Sequence, residues 1–105
     1  LLRLREMERS GEDSHIIAIS FSNPSTKTAR RVINAKRVAQ VLSATLRASD
    51  PFTKVGSNQF LVLLPGASAE NARMVYERIV AHFKDNFPRA ELAFRFSMMS
   101  LAALR

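Results

Sequence analysis

Two groups of polar residues stand where a folded domain could use them for chemistry. The segment Gly56-Ser57-Asn58-Gln59-Phe60 separates two apolar runs, and Arg47 and Asp50 lie shortly before it. The amides of Asn58 and Gln59 exchange hydrogen bonds but carry no charge and cannot take up a proton. They neutralise no charge on a hard divalent cation, which prefers anionic oxygen ligands. A guanidinium followed three positions later by a carboxylate can pair with a phosphate and with a hydrogen-bond donor.

Other kinds of catalytic or metal site find little support in the composition. The 105 residues include no cysteine, which excludes disulfides and thiolate metal sites. The two histidines, His15 and His82, are far apart in the sequence and form no zinc-binding spacing. The serines near them lack the strand-turn-helix context of a nucleophilic serine. We therefore predict no metal site and no cofactor.

The net charge of +7 raises the question of a nucleic-acid partner. The densest basic stretch is residues 27–37, and no aromatic residue is interleaved with its lysines and arginines. Such interleaving is typical of surfaces that stack on bases. We therefore predict a solvated or partner-facing helix surface that suits an acidic partner and does not bind nucleic acid directly.

Apolar periodicity predicts a short leading helix over residues 1–10 and six elements after it. Alternating or β-branched runs predict strands at residues 15–21, 52–55, 59–64 and 92–99. Apolar residues three and four apart predict helices at residues 26–47 and 69–84, the second capped by Ser68. Gly56 and Asn58 are expected to supply positive φ in the tight turn between the second and third strands.

The order strand, helix, strand, strand, helix, strand predicts an α+β domain. Two crossovers around one hairpin give a ferredoxin-like βαββαβ antiparallel sheet with the helices on one face. A chain of 105 residues with 47% hydrophobic content has room for one such domain over residues 1–105. We expect this domain to be a fragment of a longer multidomain chain.

The central hairpin resembles the GGDEF family of bacterial diguanylate cyclases. In that family Arg-x-x-Asp is followed, four to five residues later, by Gly-Gly-(Asp/Glu)-Glu-Phe and an apolar strand that ends near Pro. Here Arg47-x-x-Asp50 precedes Gly56-Ser57-Asn58-Gln59-Phe60 and an apolar strand that reaches Pro65. The resemblance covers roughly residues 4–101 and implies the nucleotide-cyclase-like core, in agreement with the fold predicted from periodicity.

The resemblance also implies that the catalytic acids of the family are missing. Asn58 and Gln59 occupy two acidic positions of the signature as the corresponding amides. Active members end the first strand in Asp-x-Asp, and the matching positions here are Ser20 and Ser22. The family's guanine-reading residues have no match before the first helix. Because metal-assisted phosphoryl transfer depends on these groups, the resemblance implies a degenerate domain that is not an enzyme.

Arg47 and Asp50 keep the spacing of the family's inhibitory site for cyclic di-GMP, so the resemblance implies a candidate ligand-binding pair. The alternative interpretation is structural. Arg47 would then lie in the last helical turn, at the negative end of the helix dipole, and Asp50 would belong to a turn before Pro51. Both interpretations remain open at this point.

We expect a catalytically inactive regulatory, scaffolding or oligomerisation module of a bacterial signalling protein or transcription regulator. The alternative is a cyclic di-GMP receptor that uses Arg47 and Asp50. The expected partners are other domains of the same chain, a second copy in a homodimer and, in the alternative, cyclic di-GMP. No apolar run reaches the ~18 residues that a membrane-spanning helix needs, so we expect a cytoplasmic domain without a membrane partner.

Overall fold

The computed structural model describes residues 14–23 and 28–104. Its elements in chain order are β1 (Ser14–Ser22), α1 (Thr28–Thr45), β2 (Phe52–Gly56), β3 (Gln59–Pro65), α2 (Ala69–Asn86), β4 (Ala93–Ser100) and a 3-10 turn (Leu101–Leu104). The helix predicted for residues 1–10 lies outside the described residues. Neither α1 nor α2 is apolar enough to cross a membrane.

β1 lies inside a single antiparallel sheet with the strand order β2-β3-β1-β4. It pairs with β3 on one side and β4 on the other, so that Ile17 lies opposite both Val62 and Met98. β2 pairs with β3 through a register that shifts between Lys54 and Gly56. This arrangement confirms the predicted α+β, ferredoxin-like βαββαβ fold.

The helices cover one face of the sheet, and the alternation of side chains in β1 explains which face. Ile17, Ile19 and Phe21 are buried, whereas the residues between them are only partly buried. Successive strand side chains point to opposite faces, so every second residue enters the core. The same alternation in β3 buries the side chains of Phe60, Val62 and Leu64. The helices complete the buried cluster with Ala35, Val38, Val41, Leu42, Ala72, Ile79 and Phe83.

α1 ends two residues earlier than its apolar pattern predicts. The amide N–H of Leu46 still donates to the Leu42 carbonyl at 2.9 Å, but the chain then turns, and the N–H of Asp50 donates to the Arg47 carbonyl at 2.9 Å. Arg47 therefore lies beyond the helix. The part of the structural interpretation that places Arg47 in the last helical turn, at the negative end of the dipole, is wrong, because α1 ends at Thr45.

The start of α2 confirms the predicted cap. The Oγ of Ser68 accepts a hydrogen bond from the N–H of Asn71 at 3.1 Å, which satisfies one of the free donors in the first helical turn. Just before the cap, Gly66 has a φ of 74°, a left-handed conformation that favours glycine.

The loop between β3 and α2 is held to the start of β1. The Nδ1 of the buried His15 donates to the Ala67 carbonyl at 2.7 Å, and the Oγ of Ser14 accepts from the N–H of Gly66 at 3.0 Å. Both contacts join residues that are 52 positions apart. They give His15 a structural role in the fold.

Aromatic rings join α2 to β4. Tyr76 stacks on Phe96 with ring centroids 4.0 Å apart, and Phe83 meets the edge of Phe94 at 5.2 Å. Partial burial raises the pKa of the Tyr76 phenol, because the charged form would lose hydration. Two aromatic contacts, at Tyr76 and at Phe83, therefore fix the helix to the last strand.

Candidate functional site

The turn between β2 and β3 lies beside the end of β1. The N–H of Phe21 donates to the Asn58 carbonyl at 3.0 Å, and the sheet register places Ser20 opposite Gln59. The hairpin segment and the end of the first strand, which the sequence analysis singled out separately, are thus neighbours in space.

Ser20 and Gln59 touch through their side chains. The Nε2 of Gln59 donates to the Oγ of Ser20 at 3.4 Å, a long and therefore weak hydrogen bond. Both groups are neutral. The pair can orient a ligand or a water molecule, but it supplies no charge to hold a divalent cation and no base to accept a proton.

Gly56 does not need the conformational freedom of glycine. Within the described residues, positive φ occurs at Gly66, so the expectation of positive φ at Gly56 and Asn58 is wrong. A Cβ added at Gly56 would meet its nearest neighbour, the Cβ of Gln59, at 3.9 Å, which is an ordinary contact. The chain reverses direction in the turn formed by Ser57 and Asn58, which follows the register shift between Lys54 and Gly56.

Phe60 fixes the hairpin to the core. Its side chain is buried, and its ring lies 6.0 Å from that of Phe21 and 6.2 Å from that of Phe52, measured between centroids. Ser57, at the tip, is exposed. The hairpin therefore offers a fixed base and a polar, accessible turn.

A cavity of about 240 Å³ opens between the hairpin turn, the end of β1 and the first turns of α1. Ser22 forms part of its wall together with the turn residues Ser57 and Asn58. Its described lining consists of Phe21, Ser22, Asn23, Arg31, Asn34, Ser57, Asn58 and Leu92. These side chains are apolar, neutral polar or cationic, and none of them is a carboxylate. The cavity can therefore form hydrogen bonds and attract an anion.

Asn34 is a cavity residue that sequence reasoning missed. It is 2% exposed, and neither Oδ1 nor Nδ2 has a hydrogen-bond partner among the described residues. The helical pattern of α1 was read from its apolar positions, so the polar residue between them was passed over. The available signal was its place next to Ala35 and one turn before Val38, both buried.

Arg47 and Asp50 form an ion pair with each other. The Nε and NH2 groups of Arg47 donate to Oδ2 and Oδ1 of Asp50, each at 3.2 Å, and the backbone N–H of Arg47 also donates to Oδ2 at 3.1 Å. These hydrogen bonds, and then the carboxylate charge, raise the pKa of the guanidinium. Asp50 is buried, whereas the side chain of Arg47 is 68% exposed. Neither residue is part of the described lining of the cavity.

In the part of the chain that the structure describes, no three histidine, cysteine, aspartate or glutamate side chains come together in a group that could hold a metal ion. The described site offers hydrogen bonds and one cation, and it lacks a cluster of anionic oxygens.

Solved structures share this fold. A DGC protein from Thermotoga maritima has a TM-score of 0.75 at 14% identity, over 95% of this chain and 72% of that chain. The active GGEEF domain of a diguanylate cyclase from Vibrio cholerae has a TM-score of 0.70 at 15% identity, over 95% and 69%. The GGDEF domain of DgcB from Caulobacter crescentus, solved in complex with c-di-GMP, has a TM-score of 0.62 at 13% identity, over 93% and 66%. At these identities the likeness shows the fold.

A comparison with curated protein sequences gives no significant match. The family model described as "Diguanylate cyclase, GGDEF domain" matches residues 28–100, which run from the start of α1 to the end of β4. This match covers more than half of the chain and includes the hairpin that carries the signature positions. The chain therefore belongs to the GGDEF family.

Proposed function

We propose that the domain is a catalytically inactive member of the family that serves as a regulatory, scaffolding or oligomerisation module. The observation that carries this proposal is the contact between Ser20 and Gln59. These are positions at which the family resemblance calls for metal-binding acids, and here two neutral side chains meet. Stabilising the charge of a transferring phosphoryl group requires metal ions held by anionic oxygen. Ser22 and Asn58, the other two substituted positions, are likewise uncharged.

The proposal is tested by incubating the protein with GTP and Mg²⁺ and measuring cyclic di-GMP by chromatography. We expect no product above a no-enzyme control, while the active Vibrio cholerae domain assayed in parallel gives product. The double variant Asn58→Asp/Gln59→Glu is also expected to be inactive, because Ser20 and Ser22 still provide no charge for the metal. Turnover by the unmodified protein would refute the proposal.

The second candidate is a receptor for cyclic di-GMP, and the exposure of Arg47 favours it. A guanidinium has five N–H donors, and Asp50 occupies two of them, so the remaining donors can reach a phosphate. Asp50, however, is buried and already accepts three hydrogen bonds from Arg47. A guanine would have to displace those contacts, and this cost supports the structural role of the pair over the receptor role.

Calorimetry with cyclic di-GMP separates the two candidates. We expect no binding heat up to about 100 µM ligand. A receptor site would instead give saturable binding that weakens ~10-fold or more in Arg47→Ala, because a charge-assisted phosphate contact is lost. Arg78→Ala, which removes an exposed cation from α2, is the matched control. Saturable binding that depends on Arg47 but not on Arg78 would favour the receptor.

The proposed setting is a bacterial signalling protein or transcription regulator in the cytoplasm, in which residues 1–105 form one domain beside others or pair with a second copy. The bacterial sources of the solved relatives support it.

On α1, Arg30, Arg31 and Lys36 are exposed and suit an acidic partner. Arg37 instead lies over the Phe87 ring, 5.0 Å from its centroid. We propose that this dispersed surface does not read DNA.

A further inference from the structure

The described lining of the cavity between the hairpin turn and α1 carries a positive charge, whereas a site for a divalent cation carries negative charges. Arg31 is the cation in its described lining, and the other polar groups are the hydroxyls of Ser22 and Ser57 and the amides of Asn34 and Asn58. The amide of Asn23, also in the lining, already donates to the Glu91 carbonyl at 3.1 Å. Hydroxyl and amide N–H groups donate hydrogen bonds to negatively charged oxygen, and a guanidinium adds a strong, charge-assisted one. These groups suit an anion without the help of a cation.

Asn34 is the second observation that points to a ligand. It lies one helical turn after Arg31, so the two side chains share one face of α1. Its amide is buried and has no partner among the described residues, although it lies at the cavity. A buried amide without hydrogen bonds costs stability, so a ligand that reaches Asn34 would gain from pairing with it. The cost is recovered when the ligand is bound.

The volume and the apolar part of the lining of this cavity fit a small metabolite. About 240 Å³ is far more than the roughly 10–15 Å³ that one water molecule needs. Phe21 and Leu92 supply apolar surface beside the polar groups, so a ligand with both an apolar and a polar part would find contacts for each.

We propose that this cavity binds a small oxyanion, a carboxylate or a phosphate that also carries a hydrogen-bonding group, without a divalent metal. Arg31 pairs with the oxyanion and Asn34 with the adjacent polar group. The inference rests on the proposed function, because it assigns to an inactive member of the family the input that its cavity recognises.

The test is an NMR titration of the protein in the presence of EDTA, following the backbone amides of the hairpin turn and α1. Two probes distinguish the sources of the oxyanion: inorganic phosphate, and oxamate, which joins a carboxylate to a primary amide. Sodium chloride controls for ionic strength. We expect saturable shifts around Ser57 and Arg31 with at least one probe, with a Kd on the order of millimolar.

Variants assign the binding to named groups. Arg31→Ala is expected to weaken binding ~10-fold or more, because the charge-assisted contact is lost. Arg30→Ala removes the neighbouring exposed cation, which is outside the described lining, and should leave binding unchanged. Asn34→Leu, which keeps the branched shape of the side chain, should weaken oxamate more than phosphate while the folded spectrum persists.

Two results would overturn the inference. One is the absence of saturable shifts up to about 50 mM of both probes, and the other is binding that Arg31→Ala and Arg30→Ala affect equally, which identifies general charge attraction. Neither result would indicate catalytic activity, so the proposal that the domain is catalytically inactive would still stand. Production of cyclic di-GMP would instead refute the proposed function itself.

Discussion

Phe83→Ala is expected to lower the free energy of unfolding by about 3–5 kcal/mol. The ring is 1% exposed and lies between α2 and the sheet, with its centroid 5.1 Å from Phe87 and 5.2 Å from Phe94. Truncation removes buried apolar surface and leaves a cavity that the neighbouring rings cannot fill. Domains of this size have a total stability of only about 5–15 kcal/mol, so the variant loses a large part of it.

Urea unfolding followed by circular dichroism measures this effect. Met74→Ala is the control, because it shortens a side chain of the same helix that is 51% exposed, and its expected change is within about 0.5 kcal/mol. Equal losses in the two variants would contradict the placement of Phe83 in the core.

Asn34→Leu is expected to raise the free energy of unfolding by about 1–3 kcal/mol. The substitution replaces an amide that is 2% exposed and lacks partners among the described residues with an apolar group of the same branched shape. The cost of withholding the two polar atoms of the amide from water disappears, and additional apolar surface is buried. A residue that lowers stability in this way fits a role in binding.

The same unfolding measurement with Asn71→Leu provides the comparison. Asn71 is an exposed helix residue, so its replacement should change stability by no more than about 0.5 kcal/mol. A loss of stability in Asn34→Leu of 1 kcal/mol or more would show that the amide has a partner in the native domain, and that outcome would contradict this account.

The fold could be predicted because its main signals are local. Alternation along β1 and helical spacing along α2 each depend on a few neighbouring residues, and each element buries the face that its sequence indicates. The family resemblance indicates Ser20 and Gln59 as two separate positions of interest, and only the sheet register shows that they lie opposite each other.

The details that could not be predicted depend on contacts across the chain. The periodicity of α1 continues past Thr45, and only the Arg47–Asp50 turn shows where the helix stops. The residue type of Gly56 predicts positive φ in the turn, but Ser57 and Asn58 form the turn and neither they nor Gly56 have positive φ. Asn34 is buried beside Ala35, whereas a polar helix residue is ordinarily exposed, so its residue type predicts the opposite.

The position of β1 in the sheet also determines when the domain can fold during its own synthesis. β1 is the first described strand to leave the ribosome, yet Ile17 pairs with Met98, which is 81 positions further along the chain. At roughly 5–20 residues per second, its outer partner follows after about 4–16 s. Until then one edge of an apolar strand has no neighbour, so nascent chains shortened before β4 should recruit chaperones and aggregate.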